Sequence, residues 1–456
     1  MRPAMHPAKR GLLLLPALAT LAFAADGVAT ASKYQDTANK LIDAALAGSA
    51  GLNRLEYLCY RIGNRLSGSP ALEQAVAWSA EEMKKAGLAN VRTLPVKVPH
   101  WVRGRESAEM LEPLRKPLFM LGLGGSVATP AGGITADVVA VSTFDELGKL
   151  GRRAVAGKIV LYDAPFVTYD QTVVYRTDGA SRAARLGAVA ALVRSTTPRS
   201  LRDPHTGEME YTASDPKIPT AAVSLEDAIM MHRLARSSQR VRVHLAMESH
   251  FEPDADSADV VGEIIGREKP DEVVVIGGHI DSWDVGQGAH DDGAGAMAAL
   301  EAVALMKKLG LRPRRTVRVV LWTNEENGGR GGIAYRNWAG PALSKHVAAI
   351  EMDGGAERPL GFDLASAPEP MRNRAAAIGE LLRRIDASKI RTGEAEADVE
   401  PLTAAHIPGF GLRTVMTHYF DYHHSEADTF DKIVPDDFRR CVAAMAVMSY
   451  VLADWP

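Results

Sequence analysis

The sequence contains little cysteine, since Cys59 and Cys441 are its two cysteines among 456 residues. Two thiols cannot build a disulfide framework or a cysteine-rich zinc site, so neither is expected. They are compatible with one bridge in an exported protein or with two separately buried thiols. The sequence leaves both of these arrangements open.

The sequence also lacks an excess of charge of either sign. It has 53 Lys and Arg against 56 Asp and Glu, which gives a formal net charge of −3. With no basic stripe, nucleic acid is not expected as a partner. After residue 24, no apolar run approaches the roughly 18 residues of a membrane-spanning helix, so no membrane partner is expected either. With 46% hydrophobic and 24% charged residues, the composition is typical of a globular protein.

The N-terminal residues do not resemble a folded domain. A basic start that ends at Arg10 precedes an apolar stretch over residues 11–23, and residues 22–24 (Ala-Phe-Ala) form a small-x-small cleavage site. This order predicts a secretory signal peptide over residues 1–24, with an apolar part too short to span a bilayer. An N-terminal anchor helix is the less favoured alternative. We therefore expect an exported protein, either periplasmic or secreted.

From residue 260 onward, strand and helix patterns alternate. Residues 272–280 form a nearly continuous apolar run, typical of a strand buried on both faces, and a helix is predicted over residues 293–309. Further strands are predicted over residues 317–323 and 346–352. The alternation predicts an α/β fold with a mixed, largely parallel sheet and helices on both faces. In such sheets, ligands bind beyond the carboxyl ends of the strands.

A glycine-rich segment near residue 122 separates two regions with different sequence patterns. Beyond it come short β-branched strands with helical pieces between them. We interpret residues 123–248 as a small α/β or β-rich domain inserted into a larger one. The larger domain is then discontinuous and comprises residues 25–122 and 249–456.

Polar clusters follow the predicted strands of the larger domain. They contain His279 and Asp281, Asp291 and Asp292, Glu325 and Glu326, Asp353, and His423 and His424. Singly, each has an ordinary explanation, such as a helix N-cap or a solvated loop. Together, several carboxylates at one sheet edge would repel one another unless a cation lay among them. Mixed histidine and carboxylate ligands are typical of zinc or a similar divalent ion.

These clusters resemble the M28 family of zinc peptidases, whose motifs run His-x-Asp, Asp-Asp-Gly, Glu-Glu, Asp and His in this order. A narrower resemblance, to a carboxypeptidase-type branch of the family, extends to residues 65–69, 99–107, 279–293 and 321–326. It covers nearly the whole mature chain. In that branch the insertion is a protease-associated domain, which residues 123–248 would form here.

The resemblance implies a ligand set for two zinc ions per chain. Asp291 would bridge the two ions, with His279 and Asp353 at one ion and Glu326 and His424 at the other. His424 is chosen over its neighbour because the family pattern His-Ser-x-x-Asp-Thr matches residues 424–429.

The resemblance also implies catalytic roles for two carboxylates. Glu325 would be the general base, and Asp281 would orient His279. A cis peptide bond is implied between Asp291 and Asp292. The expected function is a di-zinc metallopeptidase that hydrolyses dipeptides or short unblocked peptides through a metal-bridged hydroxide. A homodimer is possible on the same resemblance.

Two alternatives remain beside this expectation. One is a single-zinc enzyme like glutaminyl cyclase, and the other is a non-catalytic binding protein that has lost its metals. The sequence departs from the family over residues 396–402, where Asp398 alone matches the usual pattern near the substrate. Tyr419 and Tyr422 would either wall a substrate pocket or pack in the core.

Overall fold

The computed structural model of the protein describes residues 29–199 and 201–456. The predicted signal peptide over residues 1–24 lies outside these residues and stays a prediction. Within the described ranges, no helix has both the length and the apolar composition needed to cross a bilayer.

The described strands form two sheets. In chain order the strands are β1 (Ala89–Val102), β2 (Glu106–Glu112), β3 (Lys116–Leu118), β4 (Met120–Gly122), β5 (Ile134–Val141), β6 (Ile159–Tyr162), β7 (Ala190–Arg194), β8 (Thr220–Val223), β9 (Arg242–Met247), β10 (His250–Ile264), β11 (Lys269–His279), β12 (Arg315–Trp322), β13 (His346–Glu351), β14 (Pro359–Ala365), β15 (Lys389–Thr392) and β16 (Gly409–Thr414). The first sheet has the order β1-β10-β12-β11-β13-β16-β14-β15, and the second has the order β3-β2-β9-β5-β6-β7-β8-β4.

The helices lie between and around these strands. In chain order they are α1 (Gln35–Ala47), α2 (Ala50–Tyr57), α3 (Pro70–Lys85), α4 (Phe144–Val155), α5 (Tyr169–Thr177), α6 (Gly179–Arg185), α7 (Leu225–Arg236), α8 (Ala294–Lys308), α9 (Arg330–Ala339), α10 (Glu369–Glu380), α11 (Glu400–Thr403), α12 (Tyr419–Tyr422) and α13 (Pro435–Asp454).

The centre of the first sheet is parallel, as predicted. Strand β11 pairs in parallel with β12 on one side and with β13 on the other, and β13 pairs in parallel with β16. Antiparallel pairs occur toward both edges, between β1 and β10, β10 and β12, and β14 and β16. The parallel strands put their carboxyl ends at one edge of the sheet.

Successive residues of β11 pack into opposite faces of the first sheet, because side chains alternate along a strand. Val274 and Ile276 lie in the large core with α8 and α13, whereas Val273 and Val275 lie in a smaller core with Tyr335 of α9. All four are nearly inaccessible to solvent. Each such side chain contributes about 1.5–3 kcal/mol on burial, so the apolar run fixes this strand in the middle of the fold.

The two cysteines do not form a bridge. Cys59 and Cys441 are both free and buried, which is the second of the two arrangements that the sequence left open. Burial raises the pKa of the Cys59 thiol to about 12. Both cysteines lie in the large core of the first sheet and act there as small apolar side chains.

The second sheet begins earlier than the predicted boundary at residue 123. Strand β2 pairs with β9, β3 pairs with β2, and β4 pairs with β8. Residues 106–122 therefore belong to the sheet of the inserted domain rather than to the larger domain. The two three-residue strands, β3 and β4, are too short to give a periodic sequence signal, and the partners of β2 and β4 (β9 and β8) lie about 100 residues or more along the chain.

Candidate metal centre

Three of the predicted clusters meet because they follow neighbouring parallel strands. His279 is the last residue of β11 and lies beside Trp322, the last residue of β12. Glu325 and Glu326 follow β12, and Asp353 follows β13. The edge that they share is where the strand topology predicts a ligand site.

Asp291 lies in a turn, Ala289–Gly293, directly before α8, and the backbone of Asp291 and Asp292 is not helical. The Asp291–Asp292 peptide bond is cis, as the resemblance implies. The carboxylate of Asp292 ties this turn to the strand, since it accepts hydrogen bonds from the backbone N–H groups of His279 and Gly295 at 3.0 Å each. A Cβ at Gly278 would lie 2.3 Å from an Asp292 oxygen, so only glycine allows this close approach.

Asp428 holds the same turn from the other side. Its two carboxylate oxygens accept hydrogen bonds from the backbone N–H groups of His290 and Asp291, at 2.8 and 3.1 Å. Burial raises the pKa of Asp428 to about 7. The sequence predicts no role for Asp428, although this residue occupies the Asp position of the His-Ser-x-x-Asp-Thr pattern.

The structure brings the five predicted ligands together. Asp291 lies between the two histidines, with Oδ1 3.3 Å from His279 Nε2 and Oδ2 3.2 Å from His424 Nε2. His279 Nε2 also lies 3.4 Å from Asp353 Oδ1. His424 Nε2 lies 3.1 Å from Glu326 Oε2. Both oxygens of one carboxylate are therefore in use, each facing a different histidine.

The residues present fit a bound cation. Three buried atoms of the cluster, His279 Nε2, Asp291 Oδ2 and Asp353 Oδ1, have no hydrogen-bond partner within the described residues. Buried polar atoms are rarely left unpaired in native proteins. The sets with mutually close donor atoms are His279, Asp291 and Glu326; His279, Asp292 and Asp353; and Asp291, His423 and His424. Such imidazole and carboxylate donors suit zinc.

Burial and neighbouring charges together shift the pKa values of the carboxylates in this cluster. Burial opposes ionisation of Asp291, but contacts with His279 and His424 outweigh it and hold the pKa of Asp291 well below its usual range. Burial and the neighbouring Asp291 raise the pKa of Glu326 to about 7. Burial and the charge of Asp353 raise the pKa of Glu325 well above its usual range, although His279 opposes the shift.

Both histidines of the C-terminal pair lie near Asp291. Their rings stack with centroids 3.6 Å apart, and His423 Nε2 lies 3.5 Å from Asp291 Oδ2. Within the described residues, His424 is the one whose imidazole also reaches Glu326. This second contact agrees with the preference for His424 that the motif register gives.

Asp281 lies behind the cluster and organises it. Its two carboxylate oxygens accept hydrogen bonds from the backbone N–H groups of Glu325 and Glu326, at 3.2 and 3.3 Å. His279 Nδ1 lies 3.1 Å from the Asp281 backbone carbonyl and 3.6 Å from its carboxylate. Glu325 points toward the cluster, with Oε2 4.0 Å from His279 Nε2.

A cavity of about 380 Å³ opens onto the cluster. Its lining comprises Tyr169, Arg176, Thr177, Glu208, Glu210, Asp291, Glu325, Glu326, Asp353, Glu396, Met416, Tyr419, Phe420, His423 and His424. Of the two candidate tyrosines, Tyr419 thus contributes to the wall and Tyr422 does not. In the segment where the family pattern is broken, Glu396 lines the cavity, whereas Asp398 is buried behind it.

The inserted domain forms the far wall of this cavity and holds the loop that carries His424. Thr206 N–H donates to the His424 carbonyl at 2.9 Å, and the ring of His205 lies 2.6 Å from the His423 carbonyl. Ser425 Oγ donates to Asp203 at 2.7 Å. We name these contacts of residues 203–206 with residues 423–425 the clasp. No motif or pattern in the sequence predicts the clasp.

Comparisons with known proteins agree with this geometry. The sequence profile of peptidase family M28 matches residues 259–449, and that of the PA domain matches residues 126–230. The chain belongs to peptidase family M28 and is a metallopeptidase that carries a PA domain. The expected family and fold class are therefore confirmed.

Similar proteins span nearly the whole chain. It is 44% identical to carboxypeptidase Q of Xenopus laevis, over 93% of this chain and 90% of that protein. It is 42% identical to carboxypeptidase Q of Homo sapiens, over 92% and 89% respectively. The crystal structure of a peptidase M28 precursor from Shewanella amazonensis SB2B is similar to it with a TM-score of 0.90 and 34% identity, covering 93% of this chain and 97% of that one.

Proposed function

We propose that this protein is a di-zinc exopeptidase that hydrolyses dipeptides or short unblocked peptides. The observation that carries the proposal is the position of Asp291, whose two carboxylate oxygens face His279 and His424 separately, at 3.3 and 3.2 Å. A carboxylate shared in this way suits two cations better than one. The relatives are named carboxypeptidase Q, which supports peptides with a free carboxyl end as the proposed substrates.

The five ligands divide into two sets around the shared carboxylate. His279 and Asp353 would hold one zinc ion, and Glu326 and His424 would hold the other, with Asp291 common to both. Three carboxylates would then offset most of the charge of two divalent ions. The bound ions would polarise the scissile carbonyl and acidify the attacking water.

Glu325 is the residue best suited to move the proton. It lines the cavity beside the cluster, and it is in none of the close donor sets formed by the described residues. Its carboxylate is therefore free to accept a proton from the attacking water and to donate it to the leaving amine. Asp281 supports this arrangement by fixing the backbone of both glutamates.

The test combines metal analysis with substrate profiling. Purified protein is stripped with a chelator, reloaded with zinc, and assayed on a dipeptide library with amino-blocked and carboxyl-blocked controls. We expect two zinc ions per chain and hydrolysis that depends on reloading. About one zinc ion per chain without peptide hydrolysis would instead support a cyclase of the glutaminyl type. Zinc binding without turnover of any substrate would support a binding protein.

We also propose that the protein is exported after removal of residues 1–24. The order of basic, apolar and small residues at the N-terminus supports this. N-terminal sequencing of protein recovered outside the cytoplasm should begin at residue 25. An intact N-terminus on the exported protein would contradict the cleavage.

A further inference from the structure

Arg176 places a positive charge in an otherwise acidic cavity. It lies on α5 of the inserted domain, is 7% exposed, and is the one Lys or Arg among the described residues that line the cavity. Its guanidinium donates to the carbonyls of Glu208 and Thr206, each at 3.2 Å, and to the hydroxyl of Tyr169 at 2.9 Å. All these contacts are to neutral groups.

The guanidinium has no carboxylate partner. Within the described residues, no carboxylate oxygen lies within ion-pair distance of it, whereas buried Arg318 pairs with Glu263 at 2.7 Å. Arg65 is also buried without a carboxylate, but backbone carbonyls surround its guanidinium. A buried charge without a counter-charge is unfavourable. Arg176 is therefore a buried cation that faces a cavity and can accept an anion there.

The position of Arg176 beside the ligand cluster determines which anion its guanidinium can bind. Arg176 Nη1 lies 3.4 Å from His424 Nδ1, and the opposite nitrogen of the same ring faces Asp291 and Glu326. If His424 Nε2 binds a cation, its Nδ1 carries a proton, and two donors then face each other. One imidazole ring thus separates the guanidinium from the reaction centre. One extended residue of substrate spans about 3.3–3.6 Å, and a hydrogen bond to the guanidinium at one end and a contact with the cluster at the other extend its reach across this gap.

We propose that Arg176 binds the terminal carboxylate of the substrate, one residue beyond the scissile bond. This inference depends on the proposed function, because the ligand cluster sets the position of the scissile bond. A guanidinium binds carboxylate through paired hydrogen bonds with specific geometry. Arg176 would thus make the enzyme selective for dipeptides with a free carboxyl end, and the inserted domain would supply this selectivity.

The test compares one dipeptide with the same dipeptide amidated at its carboxyl end. For the zinc-loaded wild type, kcat/KM should be higher on the free acid. Arg176→Gln should lower kcat/KM on the free acid about 10- to 100-fold, mainly through KM, and leave the amide unchanged. Arg176→Lys should retain part of the preference. Arg182→Gln is the matched control, because Arg182 is a half-exposed arginine of the same domain outside the cavity.

Calorimetric binding of the corresponding D-amino-acid dipeptide, as free acid and as amide, gives a readout independent of turnover. Arg176→Gln should weaken binding of the acid and not of the amide. Equal losses on acid and amide, in rate or in binding, would mean that Arg176 only positions His424, and would overturn the proposal. A wild type that binds both forms equally would overturn it as well. Absence of hydrolysis with acid-selective binding would count against the proposed function and not against Arg176.

Discussion

In both sheets, polar residues follow the parallel strands, but the two sheets differ in whether these residues have partners within the protein. In the inserted domain, Asp163 follows β6 and pairs with Arg194 at 3.0 Å and with His232 at 2.8 Å. Thr143 and Ser224 follow β5 and β8 and cap the next helices, α4 and α7. Each of these polar groups finds its partner within the domain.

At the corresponding edge of the first sheet, the polar groups outnumber their partners. His279 Nε2 and Asp353 Oδ1 are buried without hydrogen bonds, and carboxylates face one another across a few ångströms. Polar residues after parallel strands are therefore common to both domains. What distinguishes the candidate metal centre among the described residues is that several buried histidine and carboxylate atoms without hydrogen bonds gather at one point, where a bound cation would satisfy them together.

The largest effect is expected from Asp291→Ala, which removes the carboxylate shared by both halves of the cluster. Bound zinc and peptidase activity should both be lost, because no other described residue lies between His279 and His424 in this way. Metal analysis of the dialysed protein, beside a dipeptide assay, measures both. Unchanged zinc content would remove Asp291 from the bridging role.

Glu325→Gln should separate chemistry from metal binding. The substitution preserves the size of the side chain and removes its capacity to accept a proton, so kcat should fall about 10²- to 10⁴-fold. Zinc content should stay at the wild-type value, because the proposed ligands are intact. Full turnover in this variant would exclude Glu325 as the general base.

Asp281→Asn should have a smaller effect. The amide retains only one oxygen for the two backbone N–H groups that the carboxylate now serves. We expect a loss of about 10- to 100-fold in activity or zinc affinity, as is typical for groups that orient metal ligands. Zinc titration and steady-state kinetics measure the two. Wild-type values for both would mean that backbone packing alone orients the glutamates.

Asp163→Asn is the matched substitution at the edge of the second sheet. It should leave zinc content and kcat unchanged, because Asp163 is paired within its own domain. Loss of the charge should destabilise the protein by about 1–3 kcal/mol, seen as a lower thermal midpoint. A large loss of zinc in this variant would mean that Asp163, at the edge of the second sheet, also contributes to metal binding.

The sequence predicted the parallel centre of the first sheet, and it named five residues that the structure brings together; their role as metal ligands stays a prediction. Long apolar runs predict the buried strands, and the polar clusters directly after them predict a site at the sheet edge, whereas the choice of five ligands within these clusters depends on the resemblance to the M28 family. The choice between His423 and His424 depended on motif register, since adjacent histidines have the same composition. Their different contacts with Glu326 appear only in three dimensions.

Two features were beyond sequence reasoning for the same physical reason. Strand β4 has three residues and pairs with the distant β8, so its place in the second sheet depends on a non-local partner rather than on local pattern. Arg176 is 248 residues from His424 in the chain, and nothing near it in the sequence marks it as a neighbour of a ligand. Non-local contacts of this kind follow from how the two domains dock.

The clasp joins the inserted domain to the segment of the larger domain that carries His423 and His424. Excising that domain would remove the hydrogen bonds of Thr206 and His205 to the backbone of His424 and His423. It would also remove the far wall of the cavity. The backbone of His423 and His424 is therefore positioned by contacts with the inserted domain as well as by the C-terminal segment itself.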